Sequence, residues 1–264
     1  METPSLKHVQ IQLIDSGRIA MVKYDRPRSG NSLHPELLAG MVAALKWADK
    51  HPNVRIIIQT GTGKFFNTGM DLIDGDNMSF AKGSNFHKLN KILILSEKIL
   101  IAAVNGPGVG YGASSLALFD LVFSVPDAYF FTPFVKWGMA AEGASSFSFP
   151  RLMGHQKTAK LFLAGERITA QEAEKLGLVS MILQKDNFLG RVTEIAQKIA
   201  LSPPGSLRAT KRLMKAPVLQ DLLDANDREC TLIHSDRYGF QENMDAIQQF
   251  RVERNKRKAQ VNKL

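Results

Sequence analysis

Two glycine-bearing loops and one glutamate are the parts of this chain whose residue types can do chemistry. The first loop, Phe65-Phe66-Asn67-Thr68-Gly69-Met70-Asp71-Leu72, follows an apolar run over residues 54–59. The second, Gly108-Val109-Gly110-Tyr111-Gly112-Ala113, follows the short apolar run 101–104. Nucleotide binding is the first use such loops suggest. Gly63-Lys64 is not a P-loop, because the glycine required five residues earlier is Ile58 and the Ser/Thr required after the lysine is Phe65. The second loop satisfies GxGxxA, yet it lies in mid-chain, is stiffened by Pro107 and belongs to no opening βαβ unit, which weighs against a dinucleotide fold. The other use is to present backbone N–H groups at helix N-termini, where the dipole favours developing negative charge. Two such loops can aim two donors at one oxygen. That is an oxyanion hole, able to stabilise a thioester enolate or a tetrahedral intermediate.

The elements that must position these loops are strand-rich early and helical late. Alternating apolar residues over Val9–Ile14 and Ile19–Tyr24, separated by Asp15-Ser16-Gly17, predict a hairpin. A helix follows Pro35, with Leu37, Leu38, Met41, Leu45 and Trp47 as its apolar face. Residues 54–59 read as a buried strand ending at Gly61-Thr62-Gly63. The polar, Gly/Ser-containing stretch 76–86 reads as a flexible loop over a site, and a long helical pattern runs from Leu89 to Ile99. Residues 101–104, 121–124 and 129–131 are short strands, 113–118 a helix, and beyond Gln156 the pattern is helical apart from one strand near 178–183. No internal repeat stands out. Pro203-Pro204-Gly205 marks a hinge, so a core over 1–200 and a C-terminal helical oligomerisation region over 201–264 are expected.

Composition excludes several classes. With 264 residues, 44% hydrophobic, the chain can bury a substantial core, and no apolar stretch approaches the roughly 20 residues of a membrane helix. A soluble protein is expected. The acidic Glu2 and Asp15 and the lack of an apolar segment at the start fit neither a secretory signal nor an Arg-rich transit peptide. Cys230 is the single cysteine, so no internal disulfide forms, and it reads as a small buried hydrophobe. The net charge of +9 is concentrated at residues 251–264, which carry six Lys/Arg against Glu253 alone. A mobile basic end explains this, and no nucleic-acid signature accompanies it. The histidines at 8, 34, 51, 87, 155 and 234 show no metal-ligand spacing, so no metal is implied.

Residues 66–72 resemble the first signature of the crotonase superfamily, and residues 102–112, continuing to Asp120, resemble the second. The likeness spans about residues 8–255. It implies an α/β fold, the crotonase (ClpP-like) spiral of ββα units with a C-terminal helical region, assembled as trimers or hexamers. It also implies an acyl-CoA substrate, no separate cofactor, and Met70 and Tyr111 as the backbone donors of the oxyanion hole. Enoyl-CoA hydratases of this family carry two glutamates where this chain has Ser114 and Phe134, so the groups that activate and protonate across water are missing and hydratase activity should be absent or poor. Residues 137–146 instead resemble the peroxisomal Δ3,Δ2-enoyl-CoA isomerase branch, whose single catalytic glutamate falls on Glu142. Isomerisation removes a proton from C2 and returns one at C4, so one carboxylate serves both steps. Flanked by Phe134, Met139, Ala140 and Ala141, Glu142 should be poorly solvated and its pKa raised. The plain alternative is a helix N-terminal acid favoured by the dipole.

By the same resemblance, Arg28, Ser29, Asn31 and Ser32 lie beside the adenine and pantetheine, and Thr68, Gly69, Asp71, Leu72, Gly110 and Phe134 beside the substrate. Lys211 and Arg212 either reach a CoA phosphate or form a solvated helix face. The terminal Asn262-Lys263-Leu264 is similar to a Ser-Lys-Leu peroxisomal address read by an import receptor. A non-catalytic acyl-CoA or protein-binding relative and a specialised biosynthetic crotonase are the alternative readings.

Overall fold

The computed structural model describes residues 2–74 and 77–261, with side chains described as far as residue 256. The Asn262-Lys263-Leu264 end and Asp76 lie outside the described residues. Strand β1 (Val9–Ile14) pairs antiparallel with β2 (Ile19–Tyr24), setting Val9 opposite Tyr24 and Ile14 opposite Ile19. Helix α1 (Pro35–Lys50) then returns the chain to β3 (Ile56–Gly61), parallel to β2, and α2 (Asn85–Leu95) returns it to β4 (Ile99–Val104), parallel to β3. Next come β5 (Gly108–Val109), α3 (Tyr111–Ser114), β6 (Leu121–Ser124), β7 (Tyr129–Phe131), α4 (Ser145–Met153) and α5 (His155–Phe162). β8 (Ile168–Thr169), α6 (Ala170–Lys175) and β9 (Met181–Ile182) complete the strands. The large sheet runs β1-β2-β3-β4-β6-β9, and a small one runs β5-β7-β8.

A repeat exists in space that the sequence conceals. Successive turns leave the large sheet, make a second, shorter strand contact and continue into a helix. β4 is followed by β5 and α3, and β6 by β7 and α4. The earlier turns use single residues for the second contact: Leu33 bridges Met70 after β2, and Asn67 bridges Gly108 after β3. β3 is buried throughout and β4 along all but its first residue, which explains their unbroken apolar runs, as parallel strands are covered on both faces.

Several local expectations change. Beyond Gln156 a second strand, β8, interrupts the expected helices, and the strand expected near 178–183 is only Met181–Ile182. The helix expected to reach Ile99 stops at Leu95, because Ser96 turns extended and donates its hydroxyl to Asp49 Oδ1 at 2.6 Å. Ile99 then opens β4, where pairing with β3 overrides local helical spacing. The strand read from 54 begins at Ile56. In the expected mobile stretch, Met78 and Phe80 are buried, and the Phe80 ring packs on Phe86 and Tyr238, 4.9 and 5.0 Å between centroids.

The remaining helices are α7 (Phe188–Ala200), α8 (Pro204–Lys215), α9 (Leu219–Leu232) and α10 (Gln241–Val261). Pro204 opens α8, at the first helical position where its missing N–H costs nothing. Among the described residues no helix is long and apolar enough to cross a membrane.

Candidate active site

The two glycine loops meet. Val109 N–H donates to Asn67 O at 2.9 Å, and a side chain at Gly69 would stand 3.0 Å from Val109 O and 3.4 Å from Tyr111 N. Gly69 and Gly110 both hold positive φ, 76° and 54°, a conformation that brings two backbones into direct contact because neither carries a Cβ. Asn67 fastens the first loop by donating to Asn31 O at 2.7 Å and accepting Gly69 N–H at 2.8 Å. The backbone N–H of Met70 and that of Tyr111, the first residue of α3, donate to no acceptor among the described residues. Two unspent donors therefore flank one contact point.

Glu142 reaches the same point. A Cβ at Gly110 would lie 3.4 Å from Gly69 Cα and 4.0 Å from Glu142 Oε1. Glu142 is 6% exposed, and no hydrogen bond to its carboxylate exists among the described residues. Burial pushes its pKa up to about 8, with the charge of nearby Glu229 as a second cause. An unpaired buried carboxylate is expensive to ionise, so such a group makes a strong base once it does. The helix-capping alternative fails on geometry. α4 starts at Ser145, whose N–H donates to the Glu142 backbone O at 3.3 Å, and the carboxylate that accepts the flanking Ala144 and Ser146 N–H groups is that of Glu229, not that of Glu142.

The cavity at this point has a volume of about 60 Å³ and is mostly apolar. Of the residues marked by sequence, Thr68, Gly69, Met70, Leu72, Gly110, Phe134 and Glu142 line it. Trp137 and Met139 also line it, although neither was expected beside the substrate; their signal was position, between Phe134 and Glu142. Phe134 packs edge-on against Phe162, 5.2 Å between centroids, so it walls the cavity with hydrocarbon. Ser114 is buried with an unpartnered hydroxyl, close behind Gly143. Neither position offers a carboxylate.

Other marked residues serve the scaffold. Asn31 is buried at φ 58° and donates to Thr62 O and Phe65 O, at 2.9 and 2.8 Å. Ser32 donates to Asp71 Oδ2, which also pairs with Arg26 at 2.8 Å. Burial works to raise the Asp71 carboxyl, but N–H groups of Asp74 and Ile73, together with Arg26 and Ser32, hold it below its ordinary value. Asn31, Ser32 and Asp71 therefore brace the loop and do not line the cavity. Arg28 and Ser29 are exposed on the turn Pro27–Ser29, which adjoins the cavity through the Thr68 hydroxyl donating to Ser29 O at 3.4 Å. Lys211 is not part of a solvated helix face. It is buried, with Nζ donating to Asp120 Oδ2 at 2.6 Å and to Lys98 O, while Arg212 pairs with Glu97. Cys230 is buried, and burial lifts its thiol pKa to about 12, as an inert core residue requires.

The C-terminal helix holds both walls of the cavity. Arg251 donates to Leu72 O at 2.9 Å, Asn243 donates to Trp137 O at 2.7 Å, and the Phe250 ring meets Trp137 edge-on at 5.2 Å.

The enoyl-CoA hydratase/isomerase family model matches residues 15–258. Enoyl-CoA delta isomerase 2 of Rattus norvegicus is 33% identical over 250 residues, covering 91% of this chain and 63% of that protein. Peroxisomal enoyl-CoA delta isomerase 3 of Mus musculus is 32% identical over 219 residues, covering 80% of this chain and 69% of that protein. The chain spans less than two thirds of the length of the first curated relatives, 63% and 56%. The crystal structure of an enoyl-CoA hydratase/isomerase from Pseudoalteromonas atlantica T6c superposes with a TM-score of 0.86 at 28% identity, covering 94% of this chain and 98% of that one. The fold, the two meeting glycine loops and these matches together make this chain a member of the enoyl-CoA hydratase/isomerase family, of the crotonase superfamily, close to the enoyl-CoA isomerases.

Proposed function

We propose that the protein is a Δ3,Δ2-enoyl-CoA isomerase, an intramolecular oxidoreductase that moves the double bond of a cis- or trans-3-enoyl-CoA to give trans-2-enoyl-CoA. The observation that carries this reading is one buried, unpaired carboxylate at the contact point of two loops with unspent N–H donors. Glu142 takes the C2 proton, and the electron pair of that C–H bond passes to the thioester oxygen as a dienolate. Met70 and Tyr111 N–H groups hold that oxygen, in a pocket where fixed dipoles act at low dielectric. Glu142 then returns the proton at C4 while the C2–C3 double bond forms, so atoms and charge balance without a cofactor. The CoA portion belongs to the substrate. Hydration is disfavoured because Ser114 and Phe134 leave only Glu142 as a proton carrier. The names of the relatives support the same reaction, and the mouse relative's name supports a peroxisomal setting. A place in fatty-acid β-oxidation and homotrimeric or hexameric assembly are part of the same proposal.

The test supplies purified protein with 3-enoyl-CoA and, separately, with trans-2-enoyl-CoA in water. Isomerisation should exceed hydration by at least about a hundredfold, the scale of a missing acid/base group. Hydration as fast as isomerisation sinks the assignment.

A further inference from the structure

The N-terminal end of α4 is closed by a residue from a distant helix. Ala144 N–H donates to Glu229 Oε2 at 2.6 Å and Ser146 N–H to Oε1 at 2.8 Å, so both oxygens of one α9 carboxylate are engaged. Glu229 is 6% exposed and stands in the buried stripe Leu222, Ala225, Asn226, Cys230 of its helix, where an apolar side chain would pack at no electrostatic cost. A helix N-terminus is the favourable place for such a charge. The pairing bears directly on Glu142. Only Gly143, at φ 72°, and Ala144, at φ 56° and ψ 19°, separate Glu142 from α4. Two successive left-handed residues make a sharp turn, and for alanine that conformation is strained. The hydrogen bond from Ala144 N–H to Glu229 holds the strained residue in place.

We infer that Glu229 is a positioning residue for Glu142: its carboxylate fixes the Gly143-Ala144 turn that aims Glu142 at the cavity, and sets a second negative charge behind it. The inference rests on Glu142 being the acid/base of this site. Burial raises Glu229 to about 7, while hydrogen bonds from Ser146 and Ala144 and the charge of Arg228 hold it lower than burial alone would. The charge of an ionised Glu229 adds to burial in raising the Glu142 carboxyl. The other titratable groups coupled to the pair are Tyr111 and Cys230, both kept protonated by burial, and Arg228 on α9; Asp227, paired with Lys82 and His87, acts on Cys230.

Two readouts test this together: the pH profile of kcat/KM for 3-enoyl-CoA, and carbon-13 NMR titration of labelled glutamate carboxyls. Glu229→Gln keeps an oxygen for the clamp and removes the charge. The Glu142 titration and the acidic limb of the profile should both move down by about one pH unit, the usual size for a neighbouring like charge. Glu229→Ala also loses the clamp and should drop kcat by about a hundredfold with little change in KM, as a misaimed base does. His87→Gln should leave the limb in place. If Glu229→Ala does not fold, Glu229→Gln decides. A Glu229→Gln protein whose Glu142 titration and profile overlie the parent's overturns the inference. Should the parent isomerise no 3-enoyl-CoA, the proposed reaction fails, but the titration still reads the coupling of the two carboxyls by itself.

Discussion

Gly110→Ala adds one methyl group where the two loops and Glu142 meet. It has two effects, and a control separates them. The residue sits at φ 54° and ψ −118°, so alanine there carries backbone strain of roughly 1–3 kcal/mol. For a chain of this length each kcal/mol lowers Tm by about 2–4 °C, so a fall of roughly 2–12 °C is expected. The methyl carbon would also stand 3.4 Å from Gly69 Cα and 4.0 Å from Glu142 Oε1, inside the space the proposed reaction gives to the thioester. Displacing a reacting group by about an ångström costs on the order of a hundredfold in rate. Gly165 has a comparable φ of 64° with no heavy atom within 4 Å of an added Cβ, so Gly165→Ala reports strain without obstruction. Steady-state isomerisation and thermal melts of both variants provide the assay. Gly110→Ala should lose about a hundredfold in kcat/KM and Gly165→Ala less than about threefold. Equal activities, both near the parent's, would refute the placement of the reacting group at this contact.

The other expectations concern charge. Lys211→Met leaves Asp120, among the described residues, with only the Leu100 N–H, at 2.7 Å, and strands a largely buried carboxylate. Breaking such a pair costs about 3–5 kcal/mol, here nearer the lower bound because the Asp120 side chain retains 18% exposure. Denaturant titration should show this loss, and Asp120→Asn in the same chain should restore part of it; an unchanged midpoint would contradict the buried pair. Burial pushes the Glu142 carboxyl up to about 8 and that of Glu229 up to about 7, against an ordinary value of 4.5. The native state therefore keeps protons that the unfolded chain gives up, so their contribution is fully present below about pH 4.5 and lost as pH rises through 7 to 8. The Tm should fall across that window, less steeply in Glu142→Gln, while kcat/KM rises to a plateau above about pH 8 as the base ionises. A Tm slope identical in the parent and Glu142→Gln would contradict the burial of that carboxyl.

Sequence legibility tracks the range of the forces involved. The glycine loops were legible because close backbone approach at Gly69 and Gly110 requires the residue type itself. The hairpin was legible from alternation, and the buried runs of β3 and β4 from continuous hydrophobicity. The spiral was not visible as a repeat, since its second contact is sometimes a two-residue strand such as β5 and sometimes one bridging residue such as Leu33. The bracing role of Asn31, Ser32 and Asp71 was not legible, because polar side chains beside a tight turn satisfy groups of other loops that the local sequence does not show. Lys211 and Glu229 were unreadable as partners: each meets groups far away in the chain, although a glutamate on the apolar stripe of α9 was the available signal.

Glu142→Gln tests the central claim most directly. Glutamine keeps the volume and removes the proton-transferring group, so the folded variant should bind a 2-enoyl-CoA about as the parent does while isomerisation of 3-enoyl-CoA falls by about 10²–10⁴-fold. A folded Glu142→Gln protein that isomerises at the parent's rate would show that this carboxylate is not the acid/base.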